Sequence, residues 1–289
     1  MSNHDELRSQ GVAEIAEDAA SGSVAAVYAD IRSSLGTDLV NLIYRHLATV
    51  PGALEWAWAN LAPHFRSGEF DAQAGVLRER VRGFAKAWAA RFDFLSTPVA
   101  ERRAAANLVG TYNHNNSRNL LAFRHLLEGG QGTPMVNPGP RRMPWALGGE
   151  RGLPAIPPWA TMNAIDRATV LRLNGLGEPG EPLIVASLYR HLALWPSLLH
   201  NVEAALSRLD ARGDIARALT FTVEESRSLV CAHPLPMPVP PPPTVDAALR
   251  SRLRAFVDLT IPKMVPVGMA LEAALITFPS AAPGEIPCT

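Results

Sequence analysis

The chain has 289 residues, 47% apolar and 19% charged, with Lys+Arg and Asp+Glu both at 27 and a formal net charge of zero. That much apolar material supplies a sizeable core and excludes a disordered chain or a disulfide scaffold. The lack of a basic excess argues against a nucleic-acid or anionic-membrane surface, whereas an anionic small molecule needs only a local arginine or a few backbone N–H groups.

The periodicity is helical from the start. Val24, Val27, Tyr28, Ile31 and Leu35 recur at spacings of three and four, and Gly36 stops that helix. Asp38 is placed to cap a segment from Leu39 to Ala48. Pro51 sits where a helix favours its first residue, with Leu54, Trp58, Leu61 and Phe65 as the stripe behind it and Gly68 as the stop. Phe70 to Phe94 reads as a long helix carrying Val76, Val81, Phe84 and Trp88. Pro98 and Glu101 open another, and Asn113 to Leu127 closes the first half before Gly129-Gly130. Residues 129–160 lose all periodicity and are rich in proline and glycine, which reads as a surface linker that Trp145 and Trp159 pin down in places.

Helical periodicity then returns and repeats. Tyr44-Arg45-His46-Leu47-Ala48, with Pro51, Leu54 and Leu61, recurs as Tyr189-Arg190-His191-Leu192-Ala193, with Pro196, Leu199 and Leu206, at a constant offset of 145. Val40 and Val185, Ala59 and Ala204, and Gly68 and Gly213 match at the same offset. The expected fold is all-α: a first helical repeat over 22–128, a linker over 129–160 and a second repeat over 161–278, forming one unit. A second proline tract, Pro234 to Pro243, holds seven prolines in ten residues. It is extended, either as an SH3-type ligand or as a connection between two helices, and the connection is favoured.

Cys231 and Cys288 lie 57 positions apart with no CxxC. No HExxH or third ligand accompanies His46 and His191, so no metal is expected. The start, Met1-Ser2-Asn3-His4-Asp5-Glu6, is polar, and no 18 consecutive apolar residues occur. A cytoplasmic location is the expectation, with mobile ends from Met1 to about Ala20 and from Pro279 to Thr289.

The runs Val40-Asn41-Leu42-Ile43-Tyr44-Arg45-His46-Leu47-Ala48-Thr49-Val50-Pro51-Gly52-Ala53-Leu54-Glu55-Trp56-Ala57-Trp58 and Tyr112-Asn113-His114-Asn115-Asn116-Ser117-Arg118-Asn119-Leu120 resemble the group I 2-haloacid dehalogenases, the DehI-like family. The resemblance extends to the length, the two helical repeats and the Pro-rich connection. Its architecture is similar to that of the AhpD-like helical proteins, whose CxxC is missing here.

The resemblance implies hydrolysis of small 2-halocarboxylic acids without a cofactor. An aspartate activates water, which attacks Cα and displaces halide, and an asparagine helps hold that water. It further implies a small carboxylic acid as the binding partner, a pocket between the repeats and a homodimer. Carried over by position, the asparagine falls on Asn113, and the Ala-Ser pair that holds the substrate carboxylate falls on Ala186-Ser187. The family's aspartate position reads Leu188, which cannot accept a proton, and no carboxylate lies between Leu183 and Leu199.

The residues themselves leave alternatives open. Asn113, His114, Asn115 and Asn116 form a polar run that is either a helix cap or a cradle for water and substrate. Asp258 matches Asn113 at the repeat offset and would supply the missing carboxylate across a pseudo-twofold axis, although an exposed cap is the favoured reading. His46 and His191 read as satisfied inter-helix residues, and Arg45 and Arg190 as structural ion pairs. Ser187 has no GxSxG elbow and suits an anion better than nucleophilic attack. Trp56, Trp58, Trp88 and Trp195 read as packing. Three functional readings follow: a 2-haloacid dehalogenase, a diverged enzyme of the same fold acting on another small carboxylic acid, and a non-catalytic binder of a small carboxylic acid.

Overall fold

The computed structural model describes residues 11–128, 152–178 and 184–277. Among them no strand forms, and the fold is all-α. Helix α1 spans Gly22–Leu35, α2 Leu42–Leu47, α3 Ala53–Ser67, α4 Glu69–Ala89 and α5 Val99–Glu128. After the linker come α6 Ala164–Gly175, α7 Ser187–Leu192, α8 Pro196–Asp210, α9 Asp214–Ala232, α10 Ala247–Ala255 and α11 Ile261–Ile276. A π-helical turn, Phe256–Thr260, joins α10 to α11 without a break.

The stops follow backbone chemistry. Gly36 ends α1 at φ 68° and Gly68 ends α3 at φ 80°, conformations that cost a residue with a Cβ far more than glycine. Two expected starts shift. Asn41 rather than Asp38 precedes α2, and the Asp38 carboxylate instead accepts the Gly152 N–H. Gly52, not Pro51, is the N-cap of α3. Val76 faces solvent on α4, off the apolar stripe. The largest difference is α5. Asn113 opens no helix, because Val99–Glu128 is one continuous helix with the polar run at its middle. The cap reading of that run fails, since side chains there need tertiary partners rather than free helix-end N–H groups.

The core forms two clusters. One joins α1–α4 to the C-terminal half of α5 and the α10–π-turn region. The other joins α6–α9 to the N-terminal half of α5 and the C-terminal half of α11. The long helices therefore cross between the halves, and their midpoints meet where the clusters adjoin. The run Ala247–Ile276 is long and apolar enough to cross a membrane, yet 67% of its apolar window is buried within the chain.

Two buried cations hold the ends of α1 and α6. Arg118 donates to the Leu35 carbonyl at 2.8 Å, and Lys263 to those of Asn174 at 2.6 Å and Leu176 at 3.0 Å. Last-turn carbonyls lack helical donors and carry partial negative charge, so a cation there stabilises both. The proline tract lies against α3 as a connection between α9 and α10. The Val239 carbonyl accepts from the Trp56 indole N–H (2.9 Å) and the Asn60 amide (3.0 Å), while the Val239 N–H donates back to Asn60.

Candidate functional site

A cavity of about 40 Å³ lies where the midpoints of the long helices meet the short helices α2 and α7. That is room for about three water molecules at roughly 10–15 Å³ each, and for a ligand of only a few heavy atoms. Asn41, Leu42 and Ile43 wall it at the start of α2, and Ala186, Ser187 and Leu188 at the start of α7. Tyr112, Asn116 and Asn119 descend from α5. Phe256, Thr260, Ile261 and Met264 close the far side.

Ala186, Ser187 and Leu188 therefore stand together on one wall, as the sequence placed them. Their loop is fixed from behind. The Ala186 N–H donates to the Asn174 side chain at 2.6 Å, and Lys263 ties the same segment through Asn174, Leu176 and the Glu178 carboxylate (2.6 Å). Burial pulls the Lys263 ammonium below its usual range, with Glu178 opposing that pull.

The wall carries polar atoms that the protein leaves unused. Asn119 accepts the Tyr44 hydroxyl at 2.9 Å, while its own amide N–H₂ is buried without a partner. The Asn41 side-chain oxygen is likewise buried and unpartnered. Asn116 lines the cavity and hydrogen-bonds to none of the described residues. Buried groups without a partner are rare in folded proteins, and the Asn41 oxygen and the Asn119 nitrogen are closed to a water molecule in this arrangement of the wall.

Ser187 connects the wall to a buried charge cluster. Its hydroxyl oxygen accepts from Arg45 Nη2 at 3.0 Å, which leaves its proton free to donate. Arg45 Nε lies 2.6 Å from the Glu14 carboxylate, and Arg190 Nη1 lies 3.3 Å from the other oxygen of the same carboxylate. Two guanidinium groups thus share the Glu14 carboxylate behind Ser187, and Glu17, which accepts the Val40 N–H at 2.9 Å, adds a second acid to the cluster. Both histidines beside them are held neutral. His191 is pushed down to about 4, mainly by burial, with Arg45 and Arg190 adding to the effect. Its Nε2 donates to the Pro154 carbonyl (2.6 Å), so its Nδ1 accepts from the Tyr112 hydroxyl (3.2 Å). His46 is lowered mainly by burial and pairs with the Ala13 carbonyl at 2.7 Å. Burial raises the Tyr112 phenol well above its ordinary range. Reading these histidines as inter-helix residues and these arginines as ion-paired agrees with this geometry.

The other predicted residues lie elsewhere. Asn113 is not on the cavity wall. It donates to the Glu272 carboxylate of α11 at 2.7 Å, and it fills the space that a Cβ on Gly268 would occupy. Burial raises the Glu272 carboxyl, and the Asn113 hydrogen bond opposes that rise. His114 also stands off the wall and is pushed down to about 3 by burial and by Arg118 and Arg78. Asp258 sits on the π-turn, paired with Arg124 (3.1 Å) and Arg227 (2.9 Å), and does not line the cavity. The repeat offset pairs Asp258 with Asn113, and both miss the cavity; Asn116 and its counterpart Ile261 reach it.

The sequence reading included Asn116 only as part of the polar run and missed Asn41, Asn119, Tyr112 and Glu14. Helical spacing held the signal for three of them, because Tyr112, Asn116 and Asn119 stand at i, i+4 and i+7 on one face of α5. Nothing in the sequence marked Glu14. Residues 11–20, expected to be mobile, are tied down by Glu14, by Glu17 and by the Tyr28 hydroxyl on the Ile15 carbonyl.

No family model and no curated protein matches the sequence. Solved structures do match. A D-2-haloacid dehalogenase mutant in complex with D-2-CPA superposes with a TM-score of 0.68 at 14% identity, over 91% of this chain and 94% of that one. A D-2-haloacid dehalogenase in complex with L-LA superposes at 0.66, with the same identity and coverage. The chain shares the fold of these D-2-haloacid dehalogenases along nearly its whole length.

Proposed function

We propose that the chain binds the anion of a small carboxylic acid in this cavity, as a dehalogenase-fold protein without the water-activating carboxylate. The observation that carries this reading is the composition of the wall: the Ser187 hydroxyl, backed by the Arg45 guanidinium, and the unengaged amide of Asn116, with Leu188 where a base would stand. A carboxylate needs donors, and Ser187 and Asn116 offer them. The positive charge behind Ser187 lowers the cost of bringing an anion out of water. Displacement of halide by water needs a proton acceptor, and the wall supplies no ionised one.

The second reading is hydrolysis of small 2-halocarboxylic acids, supported by the shared fold and by the unengaged amide of Asn116, a group able to hold a water. It requires a base from outside the wall.

Isothermal titration with acetate tests the first reading. The wild type is expected to bind saturably, and Ser187→Ala to bind about tenfold more weakly, the loss of one hydrogen bond to a charged group. No binding to the wild type would contradict it.

A further inference from the structure

We infer that the groove between α4 and the corner where α8 passes into α9 is a second binding site, and that it takes an aromatic carboxylate. The inference does not rest on the carboxylate-binding reading, because this groove shares no lining residue with the cavity between α2 and α7. Its volume is about 400 Å³, inside the roughly 300–1,000 Å³ range of small-molecule sites.

One face of α4 forms the long wall. Gly83, Phe84, Ala87 and Trp88 follow one another at helical spacing, with Arg80 one turn before them and Arg91 just past the helix end. Nothing lies within 4 Å of a Cβ built on Gly83, so packing does not require a glycine there, and glycine destabilises a helix interior relative to alanine. What Gly83 and Ala87 provide is room: a slot beside the rings of Phe84 and Trp88, whose centroids are 5.9 Å apart, with Phe221 of α9 at 5.5 Å from Phe84. A ring entering that slot gains offset or edge contacts of the kind aromatic groups favour.

The rim of the slot is cationic. Arg80 pairs with Glu225, while Arg212 and Arg217 share Asp214. Four guanidinium groups (Arg80, Arg91, Arg212 and Arg217) thus meet two carboxylates. Arg91 is exposed and pairs with no acid among the described residues. A guanidinium grips a carboxylate through two parallel hydrogen bonds and also stacks on aromatic faces. A ligand with a ring for the slot and a carboxylate for Arg91 therefore matches both parts of the groove. A neutral aromatic leaves Arg91 unengaged, and an aliphatic acid forgoes the ring contacts.

The test is calorimetric titration of the full chain with 2-naphthoate, 2-naphthamide and cyclohexanecarboxylate, for the wild type, Arg91→Gln and Gly83→Leu. The naphthyl ring is too large for the 40 Å³ cavity, so its binding reports on another place. Arg91 is exposed and a side chain on Gly83 enters open space, so both variants are expected to fold, which thermal melting verifies; Ala87→Leu replaces Gly83→Leu if that variant does not. The wild type is expected to bind 2-naphthoate saturably, and 2-naphthamide and cyclohexanecarboxylate about tenfold or more weakly. Arg91→Gln should weaken 2-naphthoate about tenfold and leave 2-naphthamide unchanged, whereas Gly83→Leu should abolish binding of both. No binding of 2-naphthoate to the wild type would overturn the inference. Equal binding of 2-naphthoate and 2-naphthamide would overturn it by showing an apolar slot that does not read charge. Unchanged 2-naphthoate affinity in either variant would overturn it by putting the ligand elsewhere.

Discussion

Arg45 Nη2 donates a 3.0 Å hydrogen bond to the hydroxyl of Ser187, 142 positions further along the chain. This contact joins α2 to the first residue of α7 across the edge of the cavity. It also carries a guanidinium charge, on a side chain only 3% exposed, to a wall with no ionised residue. The group that fixes this part of the wall also brings a buried positive charge to it.

Replacing Arg45 by methionine should destabilise the chain by about 2 kcal/mol. Removing one side of a fully buried ion pair costs roughly 3–5 kcal/mol, but Glu14 keeps 17% exposure and a second arginine, Arg190, beside it. The double variant Arg45→Met/Glu14→Gln should lose less than the sum of the two single losses, because Glu14→Gln alone leaves two buried guanidinium groups without their acid and the double leaves one, Arg190. Urea denaturation of the two single variants and the double gives the coupling. Strictly additive losses would show that Arg45 and Glu14 do not act as a pair.

Stability should fall on acidification below about pH 6.5. His191 and His125 are held at about 4 and His114 at about 3, in each case chiefly by burial, against an ordinary value of 6.5. Between those values the unfolded chain binds protons that the folded chain refuses, so stability is lost as pH drops through the window. Each such histidine contributes about 1.4 kcal/mol per pH unit. Glu272, raised by burial, works in the opposite direction, but it is one group against three. Urea midpoints at pH 7.5 and 5.0 check this, and His125→Gln should show a shallower pH dependence than the wild type.

Gly268→Ala should destabilise by about 1–3 kcal/mol, because its Cβ would come within 1.9 Å of the Asn113 side-chain oxygen. Adding Asn113→Ala to it should restore part of the loss, which thermal melting would show. The same variants test the site assignment. Asn113→Ala should leave acetate affinity unchanged, whereas Asn116→Ala, on the cavity wall, should alter it.

The contrast between these two asparagines shows what the sequence made legible. The all-α architecture was readable because the apolar spacings and glycine stops are local. Ala186, Ser187 and Leu188 came from the family resemblance, carried over by position, and all three line the cavity. Asn113 came from the same resemblance and does not line the cavity, whereas Asn116, one turn further along α5, does. At the middle of a long helix, rotation about the axis decides what a residue faces: position 113 turns toward Glu272, and position 116 toward the cavity. Asp258 went astray through the same register. Glu14 was invisible because its role depends on two arginines that are far from each other in sequence and neighbours only in the fold.

No acid is among the residues that line this cavity, and Leu188 stands where the family resemblance implies a water-activating aspartate. Chloride release from chloroacetate by the wild type, measured beside Leu188→Asp, tests it most directly. The account predicts no release by the wild type and release by the variant, whose new carboxylate would stand beside Ser187 and within the cavity that Asn116 also lines. Chloride release by the wild type would contradict the account and establish the hydrolytic reading.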